Sequence, residues 1–366
     1  MLSEKKFKLE ELTTRQRNQL KKLTIQALPG LQELYEDTGE IFKRRSTIVK
    51  LSYAKKIPKK ITVVSICRRG DGHVERFGRI FENEGWQYYW CAPHELDDFC
   101  GKTVNGKSIA IVDLDHDYFE TINQISYLEK LKHNFNFVIG FAFDGWSKNS
   151  RVQLVAIRDC LDLVWCPNLY YEHYSKNLPL GKLTPFPVPL GIHSDDQHTI
   201  LPAVRSMEKI RFSGNIERQS FPRLLWFLEK GKKAGVEFDF SKYEERSTYH
   251  KYDSYLAYLG RLSQSKAVIN FSTRNDMSRG FTGRSTETIA LRQLLLQEYC
   301  PALNILFKPG EHFLQFKTMN DFDETCSIIS DNQSLVYDIA DNAYTFFQKN
   351  YSEKSLLLHL TAMLAL

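Results

Sequence analysis

The stretch "ITVVSICRRGDGHVERFGRIFENEGWQYYWCAP" at residues 61–93 has the pattern of a strand, a turn, a helix and a second strand. "ITVVSIC" is a short apolar run rich in β-branched residues, and "RRGDGH" is typical of a turn. "VERFGRIFENEG" has the apolar spacing of an amphipathic helix, and "WQYYWCAP" is a further strand. Short apolar strands that alternate with helices are typical of a parallel sheet with helices on both faces, so this stretch predicts an α/β fold.

The same alternation continues along the chain in two series. In the first series, further strands are expected at residues 108–115, 135–144, 161–167 and 184–192. The second series has expected strands at residues 209–215, 236–240 and 266–272. This pattern predicts two Rossmann-like domains facing a cleft and joined near residues 193–208.

The expected domain boundaries follow from these changes in pattern. The linker "KKIPKK" ends an N-terminal helical extension, and the last residues are too apolar to lie in water without a partner surface. We expect a basic helical extension at residues 1–60 and an N-terminal acceptor domain at residues 61–200. A C-terminal nucleotide-sugar domain is expected at residues 201–350, followed by a helix at residues 351–366 that packs on the N-terminal domain.

The net charge of +5 is concentrated in the extension, because residues 1–60 hold 15 Lys and Arg against 7 Asp and Glu. Such a segment is typical of contact with an anionic membrane or a nucleic acid. Its few aromatic residues lie mostly at core-like helical positions, which does not favour stacking on bases. We therefore expect no nucleic-acid partner. Docking on an anionic membrane surface fits better, and a solvated helical face is the alternative.

The cellular location is inferred from cysteines and hydropathy. The seven cysteines have no spacing typical of zinc or of a disulfide framework, which favours free thiols in a reducing compartment. The N-terminus is charged where a signal peptide would be apolar, and no run approaches the roughly 20 apolar residues of a membrane span. We expect a cytoplasmic protein, with the inner face of the membrane as its docking surface.

Candidate ligand-binding residues lie in loops after strands of the second series, since α/β sheets bind ligands beyond the carboxyl ends of their strands. "SGN" at residues 213–215 follows one strand, and "STRNDMSRGFTGR" at residues 272–284 follows another. The second loop leads into the expected start of a buried helix from Thr286 on. Arginines, exposed amides and a positive helix end form a natural phosphate site. Glu287 at this helix start is either a ligand contact or an acid placed by the helix macrodipole.

Residues 205–350 resemble the C-terminal half of GT-B glycosyltransferases, particularly a bacterial family-1-like group that includes spore-maturation and polysaccharide glycosyltransferases. The resemblance is carried by "RFSGNIERQSFPRLL", "LSQSKAVINFS", "GRSTETIALRQLLLQEY", "ILFKPGEHFLQFKTMNDFDE" and "IADNAYTFFQKNYS". In that family a strand leads through a variable loop to an Arg-x-x-Glu helix start, which Arg284 and Glu287 match. The family often has a small residue or glycine near the position of Arg292.

The resemblance implies that Glu287 accepts hydrogen bonds from the ribose hydroxyls of a nucleotide-sugar. It also implies that Arg284 and the "SGN" loop hold the diphosphate. The remaining expected donor-binding residues are Gly214, Asn215, Arg218, Arg274, Arg279, Thr282, Gly283, Ser285 and Thr286.

The expected acceptor domain has no residue-level family motif, so its candidates come from chemistry. An inverting reaction needs a base near the acceptor hydroxyl. The chosen candidates are Asp144, Asp71 and His73, with Asp115 and His116 as further polar residues at strand ends. Each of them is equally compatible with a loop or capping role. "DLDHD" lacks the surroundings of a metal-dependent transferase, so neither a metal nor another cofactor is expected.

These features predict a metal-independent glycosyltransferase that moves a sugar from a nucleotide-sugar to a bacterial surface polysaccharide or glycolipid. The alternative is a non-catalytic GT-B-like module that binds a glycan or a protein. The abundance of arginines leaves a CMP-linked ulosonic acid as a further option for the donor. The sequence leaves open the donor, the acceptor, the stereochemical outcome and the oligomeric state.

Overall fold

The computed structural model describes residues 51–67, 72–96, 99, 106–114, 124–142, 157–168, 182–192, 200, 209–213, 231, 234–239, 251–272 and 280–366. The helices expected before residue 51 lie outside this range. The chain divides into two compact units. The first unit comprises Val49–Gln197, Ser247–Leu256 and Gln348–Leu366, and the second includes His198–Arg246 and Ala257–Phe347.

The first unit is built on a six-stranded parallel sheet with the order β2-β1-β3-β4-β5-β6. Its strands are β1 (Thr62–Ile66), β2 (Gln87–Cys91), β3 (Ser108–Asp113), β4 (Phe137–Phe141), β5 (Leu163–Trp165) and β6 (Leu183–Thr184). Its described helices include α1 (Gly72–Asn83) and α2 (Gln124–Asn134). Strands β1 and β3 are almost entirely buried, as expected for a parallel sheet covered on both faces.

The strand expected over residues 184–192 is much shorter in the structure, because β6 ends at Thr184. Pro185, Pro187 and Pro189 follow at every second position. Proline has no amide hydrogen to donate to a neighbouring strand, so the extended chain stops pairing there. Phe186 and Val188, between the prolines, are still buried.

The second unit is built on a five-stranded parallel sheet with the order β11-β10-β9-β7-β8. Its strands are β7 (Ile210–Ser213), β8 (Glu237–Asp239), β9 (Ala267–Asn270), β10 (Leu294–Glu298) and β11 (Leu314–Phe316). The helices along this part of the chain are α3 (Lys251–Ser263), α4 (Gly283–Ala290), α5 (Pro301–Leu306), α6 (Met319–Asp331) and α7 (Gln333–Asn350). If the strands of each sheet are numbered along the chain, both sheets have the order second, first, third, fourth, fifth. The first sheet has a sixth strand beyond the fifth.

Residues 280–296 contain a helix and a strand, whereas the sequence predicted one continuous helix start from Thr286. Helix α4 ends at Ala290, and Arg292 has a positive φ of 59° that turns the chain sharply. Leu294, Leu295 and Leu296 then pair with β9 and have no exposed surface. An apolar run of this length fits either a buried helix or a buried strand, and the turn at Arg292 selects the strand.

The final helix, α8 (Glu353–Met363), packs within the first unit. Its Glu353 accepts a hydrogen bond from the Asn83 side chain at 2.9 Å. The buried ring of His359 lies 2.6 Å from the Thr184 hydroxyl and 2.8 Å from the Ser52 carbonyl oxygen. In the described part of the chain, every helix is too short or too polar to cross a membrane.

Candidate functional site

The second sheet has its topological switch point at β7, which lies between β8 and β9. The chain leaves β7 on one side and returns on the other, so a crevice opens at the carboxyl ends of β7 and β9. Ser213 ends β7 and Asn270 ends β9. Helix α4 follows β9 and begins at Gly283, so Arg284 lies on the helix. Both of its charged residues belong to the Arg-x-x-Glu motif.

Glu287 is buried, with 4% of its surface exposed. Its Oε2 accepts a hydrogen bond from the Tyr258 hydroxyl of α3 at 3.1 Å. Burial is the main cause that raises the pKa of Tyr258, and the negative charge of Glu287 raises it further, so this phenol stays a hydrogen-bond donor. Glu287 is the fifth residue of α4, whereas the macrodipole effect falls off within the first turn. A buried carboxylate beyond that turn is poorly explained by the macrodipole.

Arg284, at the start of α4, contacts the two strands beside the switch point, β7 and β9. Its Nη1 donates a hydrogen bond to Oδ1 of Asn270 at 3.1 Å. Its guanidinium carbon lies 4.9 Å from the centre of the Phe212 ring in β7, a cation–π distance. The Nε atom is buried without a hydrogen-bond partner among the described residues. An anion bound at this helix end could accept that remaining hydrogen bond.

Asn270 organises the polar side chains beneath Arg284. Its Oδ1 also accepts a hydrogen bond from Thr282 at 2.8 Å, and its Nδ2 donates to Ser285 at 2.8 Å and to Gln297 at 3.0 Å. Gln297 faces Asn270 in the register of β9 and β10 and also accepts from the Ser285 hydroxyl at 2.8 Å. Asn270, Ser285 and Gln297 are completely buried, so the network fixes the start of α4 against the sheet.

The first turn of α4 carries the amides that the sequence predicts for phosphate binding. The N-cap residue Thr282 makes no side-chain cap, because its hydroxyl points to Asn270. Amides in the first turn of a helix have no partner within the helix, and they bind anions readily. Thr286, in the same turn, is buried and donates its hydroxyl hydrogen to the Gly283 carbonyl at 3.0 Å.

The structure brings Thr282, Gly283, Arg284, Ser285, Thr286 and Glu287 together on one turn and a half of α4. His73 is the second residue of α1, and its side chain is not described. The other expected site residues lie outside the described residues and stay predictions: Asp71, Asp144, Gly214, Asn215, Arg218, Arg274 and Arg279. The further candidates Asp115 and His116 also lie outside.

Sequence reasoning missed Asn270, Gln297 and Tyr258. A signal was present for two of them, since Asn270 and Gln297 are polar residues near the ends of otherwise apolar strands. Such residues must find hydrogen bonds when buried. Tyr258 had no comparable signal, because an aromatic residue in an apolar helix is usually part of the core.

Within the described ranges, no group of three or more His, Cys, Asp or Glu side chains is placed to hold a metal ion. The six cysteines found in these ranges, Cys67, Cys91, Cys160, Cys166, Cys300 and Cys326, are all free thiols.

Comparison with known proteins identifies the kind of domain that contains these residues. Residues 204–358 match a family model described as glycosyl transferase-like. Sucrose-phosphate synthase from Thermosynechococcus elongatus has a similar structure, with a TM-score of 0.53, 11% identity, and coverage of 84% of this chain and 98% of that protein. The Anabaena protein HepE, solved with UDP and glucose, gives a TM-score of 0.50, 8% identity, and coverage of 84% and 100%.

No curated protein sequence matches the chain significantly. The two structural matches show the fold, and the family model shows the kind of domain to which the Arg-x-x-Glu helix belongs. The predicted α/β class and the GT-B fold are confirmed, and the glycosyltransferase assignment is confirmed for the domain at residues 204–358.

Proposed function

With residues 204–358 as its glycosyltransferase-like domain, we propose that this chain transfers a sugar from a nucleotide-sugar to a bacterial surface polysaccharide or glycolipid. One observation carries the donor half of this proposal. The motif residues Arg284 and Glu287 lie on one helix at the switch point, and each has a neutral side chain that holds it in place. A fixed cation and a fixed carboxylate at this spacing suit the phosphate and the ribose of one nucleotide.

In the proposed reaction the leaving group is a nucleoside phosphate. Its developing negative charge is stabilised by Arg284 and by the first-turn amides of α4, which supply positive charge without a metal ion. If the reaction inverts the anomeric centre, a base takes the proton of the acceptor hydroxyl. Asp144, Asp71 and His73 are the proposed bases.

The donor can be identified by isothermal titration with UDP-, GDP- and CMP-sugars. The HepE structure contains UDP and glucose, which makes UDP-glucose the first compound to test. Tight binding of a CMP-linked ulosonic acid would instead favour the acidic donor. Glu287→Gln should weaken donor binding by about tenfold or more, because hydrogen bonds to a charged group contribute roughly 1.5–3 kcal/mol. If the folded protein bound no nucleotide-sugar, the proposal would be wrong.

Turnover is then measured as release of the nucleoside phosphate in the presence of candidate acceptors. Acceptor-dependent release supports the proposed transfer. Tight nucleotide binding without turnover on any polysaccharide or glycolipid acceptor would favour the non-catalytic module.

We also propose that the basic N-terminal segment binds the protein to the anionic inner face of the membrane. Four lysines in the described part of this segment are exposed, namely Lys55, Lys56, Lys59 and Lys60. Lys107 is also exposed. It lies near this segment, because its carbonyl oxygen accepts a hydrogen bond from the Thr62 amide. Clustered lysines of this kind attract anionic lipid headgroups. A lipid-linked acceptor would be found at that surface.

A further inference from the structure

Tyr258 is partly buried on helix α3, next to core residues of the same helix. Its neighbours Leu259 and Leu262 have no exposed surface. A phenylalanine would fill the same volume and bury as much apolar area, so packing alone gives no reason for the hydroxyl. The hydroxyl donates a hydrogen bond to the Oε2 atom of Glu287 at 3.1 Å.

Arg284 and Glu287 are three residues apart on α4, a spacing at which opposite charges attract each other. Each has a neutral partner from a different element. Asn270 at the end of β9 accepts from Arg284, and Tyr258 of α3 donates to Glu287. These neutral partners orient the two charged groups, and the Tyr258 hydroxyl also interacts with Arg284, so the three side chains form one cluster.

The other side of the Glu287 carboxylate is bounded by Gly283. A Cβ atom at position 283 would lie 3.1 Å from Oε1 and 3.4 Å from the carboxyl carbon of Glu287. The 3.1 Å distance is shorter than most Cβ contacts in proteins, so an alanine at position 283 would require the carboxylate to shift by a few tenths of an ångström. The Tyr258 hydroxyl therefore holds one oxygen of the Glu287 carboxylate, and the lack of a side chain at Gly283 leaves room for the other oxygen.

We propose that Tyr258 is a positioning residue that aligns the Glu287 carboxylate with the ribose hydroxyls of the nucleotide donor. This inference rests on the proposed function, because it concerns the same site. It predicts that recognition of the ribose hydroxyls depends on the Tyr258 hydroxyl.

The test compares binding of a ribonucleoside diphosphate with that of its 2′-deoxy and 3′-deoxy analogues, using the base selected by the titrations above. The full-length protein should prefer the ribonucleotide over at least one analogue by about tenfold, the value of one hydrogen bond to a charged group. Tyr258→Phe should reduce this preference to about twofold. Glu287→Gln should do the same, and the double variant should lose no more than Glu287→Gln alone, because both changes break one interaction.

Two further variants separate positioning from a general effect on the fold. Tyr255→Phe removes a hydroxyl from the same helix and should leave the preference unchanged. Gly283→Ala should reduce the preference as Tyr258→Phe does, because it displaces the same carboxylate from its other side. Thermal melting of each variant establishes that the comparison is made on folded protein.

Three outcomes would overturn the inference. If Tyr258→Phe weakened binding of the ribonucleotide and the deoxy analogues equally, the hydroxyl would have only a structural role. If Glu287→Gln lost the preference while Tyr258→Phe and Gly283→Ala kept it, Glu287 would bind ribose without help from Tyr258, and the proposed function would stand. If the unaltered protein bound no nucleotide, the proposed function and this inference would fail together.

Discussion

At the scale of single residues, Arg284 contacts the two strands beside the switch point. It donates to Asn270, and its guanidinium carbon lies over the Phe212 ring. Lysine could keep the charge but would lose the forked hydrogen-bond geometry and most of the stacking. Arg284→Lys should therefore weaken binding of the nucleoside diphosphate by about tenfold or more. Calorimetric titration with the nucleoside diphosphate itself, without the sugar, measures this effect.

The matched control for Arg284→Lys is Arg292→Lys. Arg292 lies just after the same helix and pairs with Asp341, with Nε 2.6 Å from Oδ1 and Nη2 2.7 Å from Oδ2. This change should leave nucleotide affinity unaltered. Equal losses in both variants would show that the effect of Arg284→Lys comes from disturbing α4 and not from a lost ligand contact.

The two charged residues of the candidate site could be predicted from the sequence because they belong to a local motif. The residues that hold them could not be predicted in the same way. Tyr258 is 29 residues from Glu287 along the chain and meets it only through the packing of α3. Asn270 is 14 residues from Arg284, and the two meet because α4 packs against the end of β9. Such contacts depend on tertiary structure, which local sequence patterns do not encode.

At the scale of elements, the turn between α4 and β10 explains why the similar family often has a small residue near position 292. The φ of Arg292 is 59°, which favours glycine. A side chain in this left-handed region costs roughly 1–2 kcal/mol. The pair with Asp341 is about half exposed and therefore offsets little of that cost.

This turn gives a stability prediction. Arg292→Gly and Arg292→Ala both remove the pair with Asp341, but only glycine relieves the backbone. The glycine variant should therefore be more stable than the alanine variant by about 1 kcal/mol in urea unfolding. Equal stability would mean that the positive φ carries no appreciable strain.

Helix α8 gives a prediction about pH. The Ser52 carbonyl can only accept, so Nδ1 of His359 carries the proton and the Thr184 hydroxyl donates to Nε2. Burial lowers the pKa of His359 to about 4, and the bond to Ser52 opposes this only in part. Between about pH 6.5 and pH 4 the unfolded chain binds a proton that the folded chain does not. The free energy of unfolding should therefore fall as the pH falls through this window.

The contribution of His359 can be isolated by comparison with His359→Gln, which keeps a donor and an acceptor but does not titrate. Glu353 has a raised pKa, mainly because of burial, and changes stability in the opposite direction, but it is present in both proteins. Across the full window the original protein should lose about 3 kcal/mol more than the variant, from 1.36 kcal/mol per pKa unit. Parallel pH profiles of unfolding, followed by circular dichroism, would contradict this assignment.

At the scale of the whole molecule, the fold class could be predicted because parallel sheets have short, continuously apolar strands. Residues 61–67 and 108–115 show this plainly, and β1 and β3 are neighbouring interior strands of the first sheet. The strand order could not be read from the same pattern. It places β2 on the outer side of β1 and β8 on the outer side of β7, which depends on how each helix crosses its sheet.

The membrane proposal also belongs to the whole molecule, because it concerns how the protein is held near its acceptor. Replacing Lys55, Lys56, Lys59 and Lys60 with glutamine should reduce cosedimentation with phosphatidylglycerol vesicles by at least about tenfold at low salt. Each lysine near an anionic surface contributes about 1 kcal/mol, and salt screens this attraction. Activity on a soluble acceptor should be unchanged, since these lysines lie outside the nucleotide site.

The control replaces four exposed lysines elsewhere, Lys130, Lys209, Lys308 and Lys349, and should retain vesicle binding. If the unaltered protein did not sediment with anionic vesicles at low salt, the lysines would form a solvated face, and the acceptor would have to reach the enzyme in solution.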